Sequence, residues 1–274
     1  MTSATLGQKL DALRAGFPVL RPGHVWLVGA GPGDPGLLTL AALAALDAAD
    51  VVVHDALVDP RVLALARADA ALERAGKRGG APSVPQDAIS RRLIALARGG
   101  KRVVRLKGGD PFVFARGGEE AMALAKAAIP FRILSGVTAG LAGLVAASIP
   151  ATLRGVNQAI ILATGHAASG PDGLDWAALA RTGQPLVIYM AMHKLGEIAA
   201  ALAAGGLAES TPAAVIASAT LPEERILVST LRNVAADAAE AKLAAPAILA
   251  VGGIVAAREA LADAVARLKA EAVA

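Results

Sequence analysis

The sequence predicts an α/β protein built of two α/β domains, the first with a mainly parallel sheet and the second with a mixed sheet. Short apolar runs alternate with alanine-rich helical stretches along the chain. In the first half, helical stretches lie between the apolar runs, which is the order that βαβ units require. In the second half, two apolar runs are separated only by the short turn LPEER, which indicates an antiparallel pair.

Four apolar runs of the first half are predicted strands, and two alanine-rich stretches between them are predicted helices. Parallel strands covered by helices on both faces are expected to be almost continuously apolar, as these runs are. The strands are HVWLVGA (24–30), VVVHDAL (51–57), RVVRLKG (102–108) and FRILSG (131–136), and the helices are LLTLAALAALDAA (37–49) and GGEEAMALAKAAI (117–129).

Five further apolar runs predict the strands of the second half. Before them, SIPATLRG holds a proline and a glycine among polar residues, which predicts a domain boundary between residues 147 and 156. We therefore expect a helical N-terminal arm (1–21), a first domain (22–150) and a second domain (151–274). The five runs are QAIILATGH (158–166), PLVIYMAM (185–192), TPAAVIASAT (211–220), RILVSTL (225–231) and PAILAVGGIV (246–255).

The composition excludes several functional classes. The chain has no cysteine, which rules out disulfides, thiolate metal sites and cysteine nucleophiles. Aromatic residues make up 3%, the net charge is +4 and no Lys/Arg run is present, so no nucleic-acid partner is expected. No His/Asp/Glu cluster has metal-ligand spacing, and neither a Gly-x-Ser-x-Gly nor a P-loop lysine motif occurs. We expect no metal.

Two features of the sequence bear on the cellular location. The N-terminus has no continuous apolar segment of the kind found in secretory signals. No charge occurs from Ile133 to Leu153, a length that could cross a bilayer. Three glycines and a proline break this stretch into strand, turn and helix signals, so the sequence predicts a cytoplasmic protein without a membrane partner.

The loop GAGPGDPG follows the first predicted strand. Gly31, Gly33 and Gly36 match the dinucleotide fingerprint GxGxxG, and Asp55 ends the next strand, which is one interpretation. However, the two prolines lack the backbone N–H groups that would bind a pyrophosphate. Asp34 also places a negative carboxylate where the phosphate would lie. Asp34–Pro35 instead predicts a helix N-cap followed by proline at the first helical position. The loop suits a cationic or neutral ligand, or it is only a tight turn.

The second motif is RLKGGDPFVFARGGEE (105–120). Gly108 and Gly109 allow a ligand to approach the backbone, and Asp110 could accept hydrogen bonds from an amine or a hydroxyl. Glu119 and Glu120 lie in the first turn of a predicted helix, where acidic residues are common because they interact favourably with the helix dipole. The motif also contains Phe112 and Phe114, which could line a pocket or belong to the core.

The remaining candidates lie at strand ends and at the boundary. Thr138 is either a helix N-cap or a ligand-facing hydroxyl, and His166 at a strand end is more often structural. Tyr189 and Met190 end another strand, where ligands bind in open α/β sheets. Arg154 lies at the predicted domain boundary.

These motifs, in this order, resemble the uroporphyrinogen-III C-methyltransferases, within the tetrapyrrole (precorrin) methyltransferases. The resemblance runs from about residue 23 to residue 256 and rests on GAGPGDPGLLT, VVVHDALV, AGKRGG, RLKGGDPFVFARGGEEA, SGVTAG, TGH and YMAM. It implies two α/β domains, a homodimer, and S-adenosyl-L-methionine bound in the cleft between the domains. The implied reaction methylates C2 and C7 of uroporphyrinogen III to give precorrin-2, for cobalamin, siroheme or haem d1 synthesis.

The resemblance also assigns residues to the methyl donor. Such a donor carries a sulfonium and an amine but no phosphate, which suits the opening loop. The implied donor-binding residues are Pro32, Gly108, Gly109, Asp110, Val113, Thr138, Ala139, Tyr189 and Met190, with Ala214 and Ala247 as weaker assignments.

The implied substrate carries eight carboxylates and therefore needs local cations. The candidates are Arg116, Arg154, Lys77 and Arg78, with Phe114 as a neighbouring ring. After methyl transfer the macrocycle must lose a proton, which Glu119 or Asp55 could accept. Arg116 is assigned to the same catalytic group.

Two departures and three alternatives qualify the resemblance. The family often has His where this chain has Leu153, and Gly where it has Ala115. Some relatives carry a fused dehydrogenase–ferrochelatase module, but the sequence has no convincing NAD fingerprint, so we expect a monofunctional enzyme. The alternatives are a methyltransferase acting on a later precorrin, an NAD-dependent oxidoreductase and a non-catalytic binding module.

Overall fold

The computed structural model describes residues 5–75, 85–166 and 173–261. The chain divides into two compact units, Met1–Thr138 and Ala139–Ala274. The boundary drawn from the sequence leaves residues 139–146 in the first domain, whereas in the structure they belong to the second unit. These residues form a helix that packs on two strands of the second sheet.

The first unit contains a five-stranded sheet in which every pair of neighbouring strands is parallel, as the sequence predicts. The elements are α1 (Leu6–Ala15), β1 (Val25–Gly29), α2 (Leu40–Ala48), β2 (Val51–His54), α3 (Pro60–Leu63), β3 (Ala71–Arg74), α4 (Gln86–Arg98), β4 (Val103–Lys107), α5 (Gly117–Lys126) and β5 (Phe131–Leu134). The strand order is β3-β2-β4-β1-β5, so the carboxyl ends of all five strands lie at one edge.

Both faces of this sheet are buried, which explains the nearly continuous apolar strands. Alternate residues of β1 point to opposite faces, so Trp26 and Val28 join one core cluster while Val25 and Leu27 join the other. The first cluster includes Leu46 of α2. The second includes residues of α4 and α5. The sheet is therefore a rigid base for the loops at its carboxyl edge.

The structure corrects two details of the predicted elements. Strand β3 was not predicted, because its sequence ALER is polar and the strand lies exposed at the edge of the sheet. The helix predicted over 37–49 begins later. Pro35–Leu37 form a separate 3₁₀ turn, and Thr39 then caps α2 by accepting a hydrogen bond from the Ala42 N–H at 3.2 Å.

The second unit contains a mixed five-stranded sheet. The elements are α6 (Ala139–Ala146), β6 (Ile161–Thr164), α7 (Trp176–Arg181), β7 (Leu186–Tyr189), α8 (Leu195–Ala204), β8 (Pro212–Ala217), β9 (Arg225–Thr230), α9 (Val234–Glu240) and β10 (Ala247–Val251). The strand order is β6-β7-β10-β8-β9, in which β6 and β7 pair in parallel and the other neighbouring pairs are antiparallel. The β8–β9 antiparallel pair predicted from the LPEER turn is confirmed, and the carboxyl ends of β6, β7 and β8 and the start of β10 lie at one edge.

The charge-free stretch from 133 to 153 forms the end of β5, the helix α6 and the turns beside it. Within the three described ranges, every helix is too short or too polar to cross a membrane.

Candidate active site

Backbone hydrogen bonds join the loops at the carboxyl edge of the first sheet. β1 lies between β4 and β5, so the loops that follow these three strands are neighbours. The Gly31 and Gly109 peptides exchange hydrogen bonds, with N···O distances of 3.2 and 2.7 Å. GAGPGDPG and GGDPFVF therefore form one continuous surface.

Glycines let the strand ends approach closely at this edge. A Cβ atom on Gly136 would lie 2.3 Å from the Gly109 carbonyl oxygen, and one on Gly29 would lie 2.5 Å from the Gly136 Cα. No side chain fits at these distances. The sequence motif SGVTAG did not indicate this role for Gly136.

The opening loop has the cap predicted from its sequence. The Asp34 carboxylate accepts a hydrogen bond from the Gly36 N–H at 2.8 Å, and Pro35 occupies the first position of the 3₁₀ turn. Gly31 and Gly33 adopt φ values of +72° and +147°, which favour glycine. Pro32 is partly exposed and, like Pro35, has no N–H to offer an anion. The loop therefore differs chemically from a pyrophosphate-binding turn.

The Asp110 carboxylate holds two loops together. Its two oxygens accept hydrogen bonds from the Phe112 N–H at 2.8 Å and the Gly136 N–H at 3.1 Å. The sequence predicts that Asp110 faces a ligand. Its contacts in the structure are to backbone amides, so its ordering of the loop is the established part of its role, and a ligand contact stays a prediction.

The loop from Gly108 to Arg116 contains strained backbone. Phe114 and Arg116 adopt φ values of +51° and +59°, which are unfavourable for residues with a side chain. Phe112 and Phe114 are 55% and 40% exposed, so neither belongs to the core of this unit. Val113 is partly exposed beside them. Strain of this kind is concentrated at functional sites, where the surrounding structure stabilises it.

Arg116 and Glu119 form an exposed ion pair at the start of α5. The Arg116 Nε and Nη2 atoms donate to the two Glu119 carboxylate oxygens at 2.8 and 2.7 Å. Arg116 thereby lowers the pKa of the Glu119 carboxyl below its usual value. Glu119 is correspondingly a weaker proton acceptor than an unpaired glutamate.

A buried cluster of four charges lies at the carboxyl ends of β2 and β4. Arg105 and Lys107 belong to β4, Asp55 follows β2, and Glu120 belongs to the first turn of α5. Arg105, Lys107 and Glu120 are at most 2% exposed, whereas the Asp55 side chain is 30% exposed. Burial, followed by the charge of Arg105, lowers the pKa of Lys107.

Both cations of this cluster contact both carboxylates. Arg105 donates from Nε to Glu120 Oε1 at 3.1 Å and from Nη2 to Asp55 Oδ1. The Lys107 Nζ atom lies 3.2 Å from Glu120 Oε1 and 3.9 Å from Asp55 Oδ2. The cluster was not predicted from the sequence, although two basic residues at alternate positions of an otherwise apolar strand indicate buried charge.

Tyr189 and Met190 lie at the carboxyl edge of the second sheet. The Tyr189 hydroxyl accepts a hydrogen bond from the Gly140 N–H at 3.0 Å, which ties β7 to α6. Met190 follows with a φ of +53° and is 47% exposed. Ala247 lies at the same edge and is partly exposed, but Ala214 has no exposed surface within β8. The contact of Ala214 with the donor stays a prediction.

Two residues at this edge were not predicted. Ser218 and Thr220 follow β8 with φ values of +49° and +68°. The Ser218 N–H donates to the Pro246 carbonyl oxygen at 2.9 Å, and the Thr220 N–H donates to Glu224 at 2.7 Å. Strained residues thus follow two strands of this edge, β7 and β8, as they follow β4 in the first unit.

The other predicted site residues are dispersed. Thr138 is buried and directly precedes α6, the N-cap position, and Ala139 is the first residue of that helix. Arg154 is exposed in the turn before β6, and His166 is exposed just after β6. Lys77 and Arg78 lie outside the described residues. Within the described ranges, no group of three or more His, Asp or Glu residues could hold a metal ion.

Comparisons with known proteins agree with this geometry. The family model of the tetrapyrrole (corrin/porphyrin) methylases matches residues 24–235. A uroporphyrinogen-III C-methyltransferase of a Sinorhizobium species is 54% identical, over 92% of this chain and 91% of that one. A siroheme synthase of Zymomonas mobilis is 48% identical over 85% of this chain but only 49% of its own length.

A solved structure extends the likeness to three dimensions. The uroporphyrin-III C-methyltransferase of Thermus thermophilus, complexed with S-adenosylhomocysteine, aligns with a TM-score of 0.73 and 38% identity. The alignment covers 85% of this chain and 99% of that one. Family model, sequence relatives and fold all agree, and the chain belongs to the tetrapyrrole (corrin/porphyrin) methylase family.

Proposed function

We propose that this protein transfers methyl groups from S-adenosyl-L-methionine to C2 and C7 of uroporphyrinogen III and so forms precorrin-2. The observation that carries the proposal is the 54% identity to a uroporphyrinogen-III C-methyltransferase over nearly the whole of both chains. The solved Thermus relative with S-adenosylhomocysteine supports the choice of donor.

The opening loop fits this donor. S-adenosyl-L-methionine supplies an electrophilic methyl group on a sulfonium, and it carries no phosphate. Pro32 and Pro35 leave few amides for an anion, and Gly108 leaves open space, since a Cβ there would meet only the Leu57 side chain at 3.8 Å. The proposed donor-binding residues are Pro32, Gly108, Gly109, Asp110, Val113, Thr138, Ala139, Tyr189 and Met190, with Ala214 and Ala247 as weaker assignments. No metal is needed for this chemistry.

Exposed guanidinium groups are the proposed partners of the substrate carboxylates. Arg116 is strained and exposed beside the second glycine-rich loop, and Arg154 is exposed in the turn before β6. Arginine binds a carboxylate through two parallel hydrogen bonds, so Arg154 can orient one propionate or acetate group, and Arg116 can do the same when a substrate carboxylate replaces Glu119. Phe114 offers an exposed ring in the same loop as Arg116.

The reaction needs a proton acceptor. The sulfur–methyl bond breaks as a bond to a pyrrole carbon forms, and the macrocycle then loses one proton per methyl group. Both candidates are paired with an arginine, Glu119 with Arg116 and Asp55 with Arg105, so this pairing does not separate them. Asp55 is partly exposed at the carboxyl edge of the sheet, where α/β proteins bind ligands. We therefore assign the proton to Asp55, and positioning of the reactants supplies most of the remaining rate.

The family relationship also supports a wider proposal. We infer a homodimer that acts in the cytoplasm and supplies precorrin-2 to cobalamin or siroheme synthesis. Light scattering with size-exclusion chromatography would test the dimer, since a monomer at micromolar concentration would exclude it.

The most direct test compares substrates under anaerobic conditions. Uroporphyrinogen III and precorrin-2 are each incubated with the donor, and release of S-adenosylhomocysteine is measured. Turnover with uroporphyrinogen III supports the proposal. Turnover with precorrin-2 but not with uroporphyrinogen III would assign the protein to a later methylation step.

A further inference from the structure

The buried cluster of Asp55, Arg105, Lys107 and Glu120 has one exposed member. Three of its four charged side chains are at most 2% exposed, and only Asp55 reaches the surface. That surface is the carboxyl edge of the first sheet, beside the glycine-rich loops. The three buried groups thus surround one partly exposed carboxylate.

Arg105 connects the two carboxylates rigidly. Its Nε atom donates to Glu120 Oε1 at 3.1 Å, its Nη2 atom donates to Asp55, and its Nη1 atom donates to the Leu106 carbonyl oxygen at 3.2 Å. A guanidinium is planar, so these three directions are fixed relative to one another. One planar guanidinium therefore links Glu120 to Asp55.

Glu120 is the centre of the buried part. Its Oε1 atom accepts hydrogen bonds from Arg105, from Lys107 at 3.2 Å and from Gln86 Nε2 at 2.8 Å. Its Oε2 atom is buried and has no hydrogen-bond partner among the described residues. Buried ion pairs contribute little net stability compared with apolar side chains of the same size. Fold stability alone is a poor explanation for this arrangement.

We propose that Glu120 is a positioning residue for methyl transfer, which through Arg105 and Lys107 holds the Asp55 carboxylate where it accepts the substrate proton. This inference rests on the proposed function. Among the described residues, the charged groups that contact the Asp55 carboxylate are Arg105 and Lys107 of β4, and Glu120 of α5 contacts both of these cations. The His54 ring lies against the Asp55 backbone, with Nδ1 at 3.0 Å from the carbonyl oxygen.

A double-mutant cycle tests the inference. General-base catalysis contributes about 10²–10⁴-fold, so Asp55→Asn should lower kcat by at least about 10²-fold. Glu120→Gln should lower kcat at least tenfold while the KM for the tetrapyrrole and the affinity for S-adenosylhomocysteine change less than threefold. In the Asp55→Asn background, Glu120→Gln should have no more than a twofold effect, because its route to the reaction is already lost.

The control variant is Glu73→Gln. Glu73 is paired with Arg92 at 2.6 Å on the first unit but is no part of the cluster. The Glu73→Gln substitution should leave kcat unchanged.

If Glu120→Gln does not fold, Arg105→Lys provides the second test. This substitution keeps a positive charge but removes the planar guanidinium that joins the two carboxylates. It should lower kcat at least tenfold when Asp55 is present and have little effect in the Asp55→Asn background. Equal losses with and without Asp55 would overturn the inference. So would normal turnover of Asp55→Asn, whereas absence of any turnover by the wild-type protein would instead refute the proposed function.

Discussion

Asp110 determines the shape of the second glycine-rich loop at the scale of a single residue. Its carboxylate accepts one backbone N–H from its own loop and one from the turn after β5. Hydrogen bonds to a charged group contribute about 1.5–3 kcal/mol each. The side chain therefore acts on the ligand surface first of all by ordering the backbone.

Asp110→Ala should lower both the free energy of unfolding, by about 1–3 kcal/mol, and the affinity for S-adenosylhomocysteine. Asp110→Asn keeps one acceptor oxygen, so its free energy of unfolding and its affinity for S-adenosylhomocysteine should lie between those of Asp110→Ala and of the wild type. Thermal unfolding and titration calorimetry measure the two effects. Unchanged donor affinity in Asp110→Ala would show that the loop does not need this carboxylate.

Arg116→Leu and Arg154→Leu should each raise the KM for uroporphyrinogen III at least tenfold. A lost charge-assisted hydrogen bond is worth about 1.5–3 kcal/mol, or roughly ten- to hundredfold in affinity. Donor affinity should stay nearly constant, because neither arginine is assigned to the donor. Arg232→Leu is the matched control, since Arg232 is 67% exposed and paired with Glu209 at 2.7 Å, as Arg116 is with Glu119. Loss of donor binding with an unchanged tetrapyrrole KM would reverse the assignment.

Asp50 joins several elements of the first unit. It lies in the turn between α2 and β2, and its carboxylate accepts hydrogen bonds from the Arg102 backbone N–H at 2.8 Å and from the Arg102 and Arg67 guanidinium groups at 2.7 and 3.1 Å. Arg102 precedes β4, and Arg67 precedes β3. The hydrogen bonds from Arg102 and Arg67 hold the pKa of Asp50 far below its usual range.

Asp50→Asn should lower the free energy of unfolding by about 1–3 kcal/mol at pH 7. Since the pKa of Asp50 is lower in the folded chain, its stabilisation is complete above the unfolded value of about 3.9 and is lost as the pH falls through the folded value. The difference between wild type and variant should therefore shrink below about pH 4. Urea unfolding at pH 7 and pH 3 measures it, and an equal difference at both pH values would contradict the assignment.

The composition of the opening loop predicts which nucleotides the protein does not bind. Because two of its residues are prolines and the Asp34 carboxylate caps its 3₁₀ turn, NAD and ATP should not bind measurably at millimolar concentration. S-adenosylhomocysteine should bind saturably in the same calorimetric assay. Saturable NAD binding in the micromolar range would restore the dinucleotide interpretation.

The elements were largely predictable from the sequence, and the exceptions have physical reasons. Of the ten strands in the described ranges, nine coincide with apolar runs, and the strands that are buried on both faces are mainly apolar for that reason. β3 lies at the sheet edge, where the polar sequence ALER is tolerated. The cluster of Glu120 was missed because an acidic residue in the first turn of a helix has an ordinary explanation, and only the fold brings β4 and α5 together.

Over the whole molecule, the two carboxyl edges differ in character. The edge of the first sheet carries the glycine-rich loops and the buried charges, whereas the described edge of the second sheet carries Tyr189, Met190, Ser218 and Thr220. The net charge is only +4, so a substrate with many carboxylates depends on a few local arginines rather than on the overall field. The sequence identified the loops by their motifs, but the contacts of Asp110, Tyr189 and Glu120 depend on the fold.

The central claim is that this chain methylates uroporphyrinogen III twice. The most direct measurement is an anaerobic incubation of the protein with uroporphyrinogen III and S-adenosyl-L-methionine that carries a deuterated methyl group, followed by mass spectrometry of the tetrapyrrole. We predict a product with two labelled methyl groups, formed at a rate that falls sharply in Asp55→Asn. A tetrapyrrole that stays unlabelled, while the protein binds S-adenosylhomocysteine normally, would contradict the account.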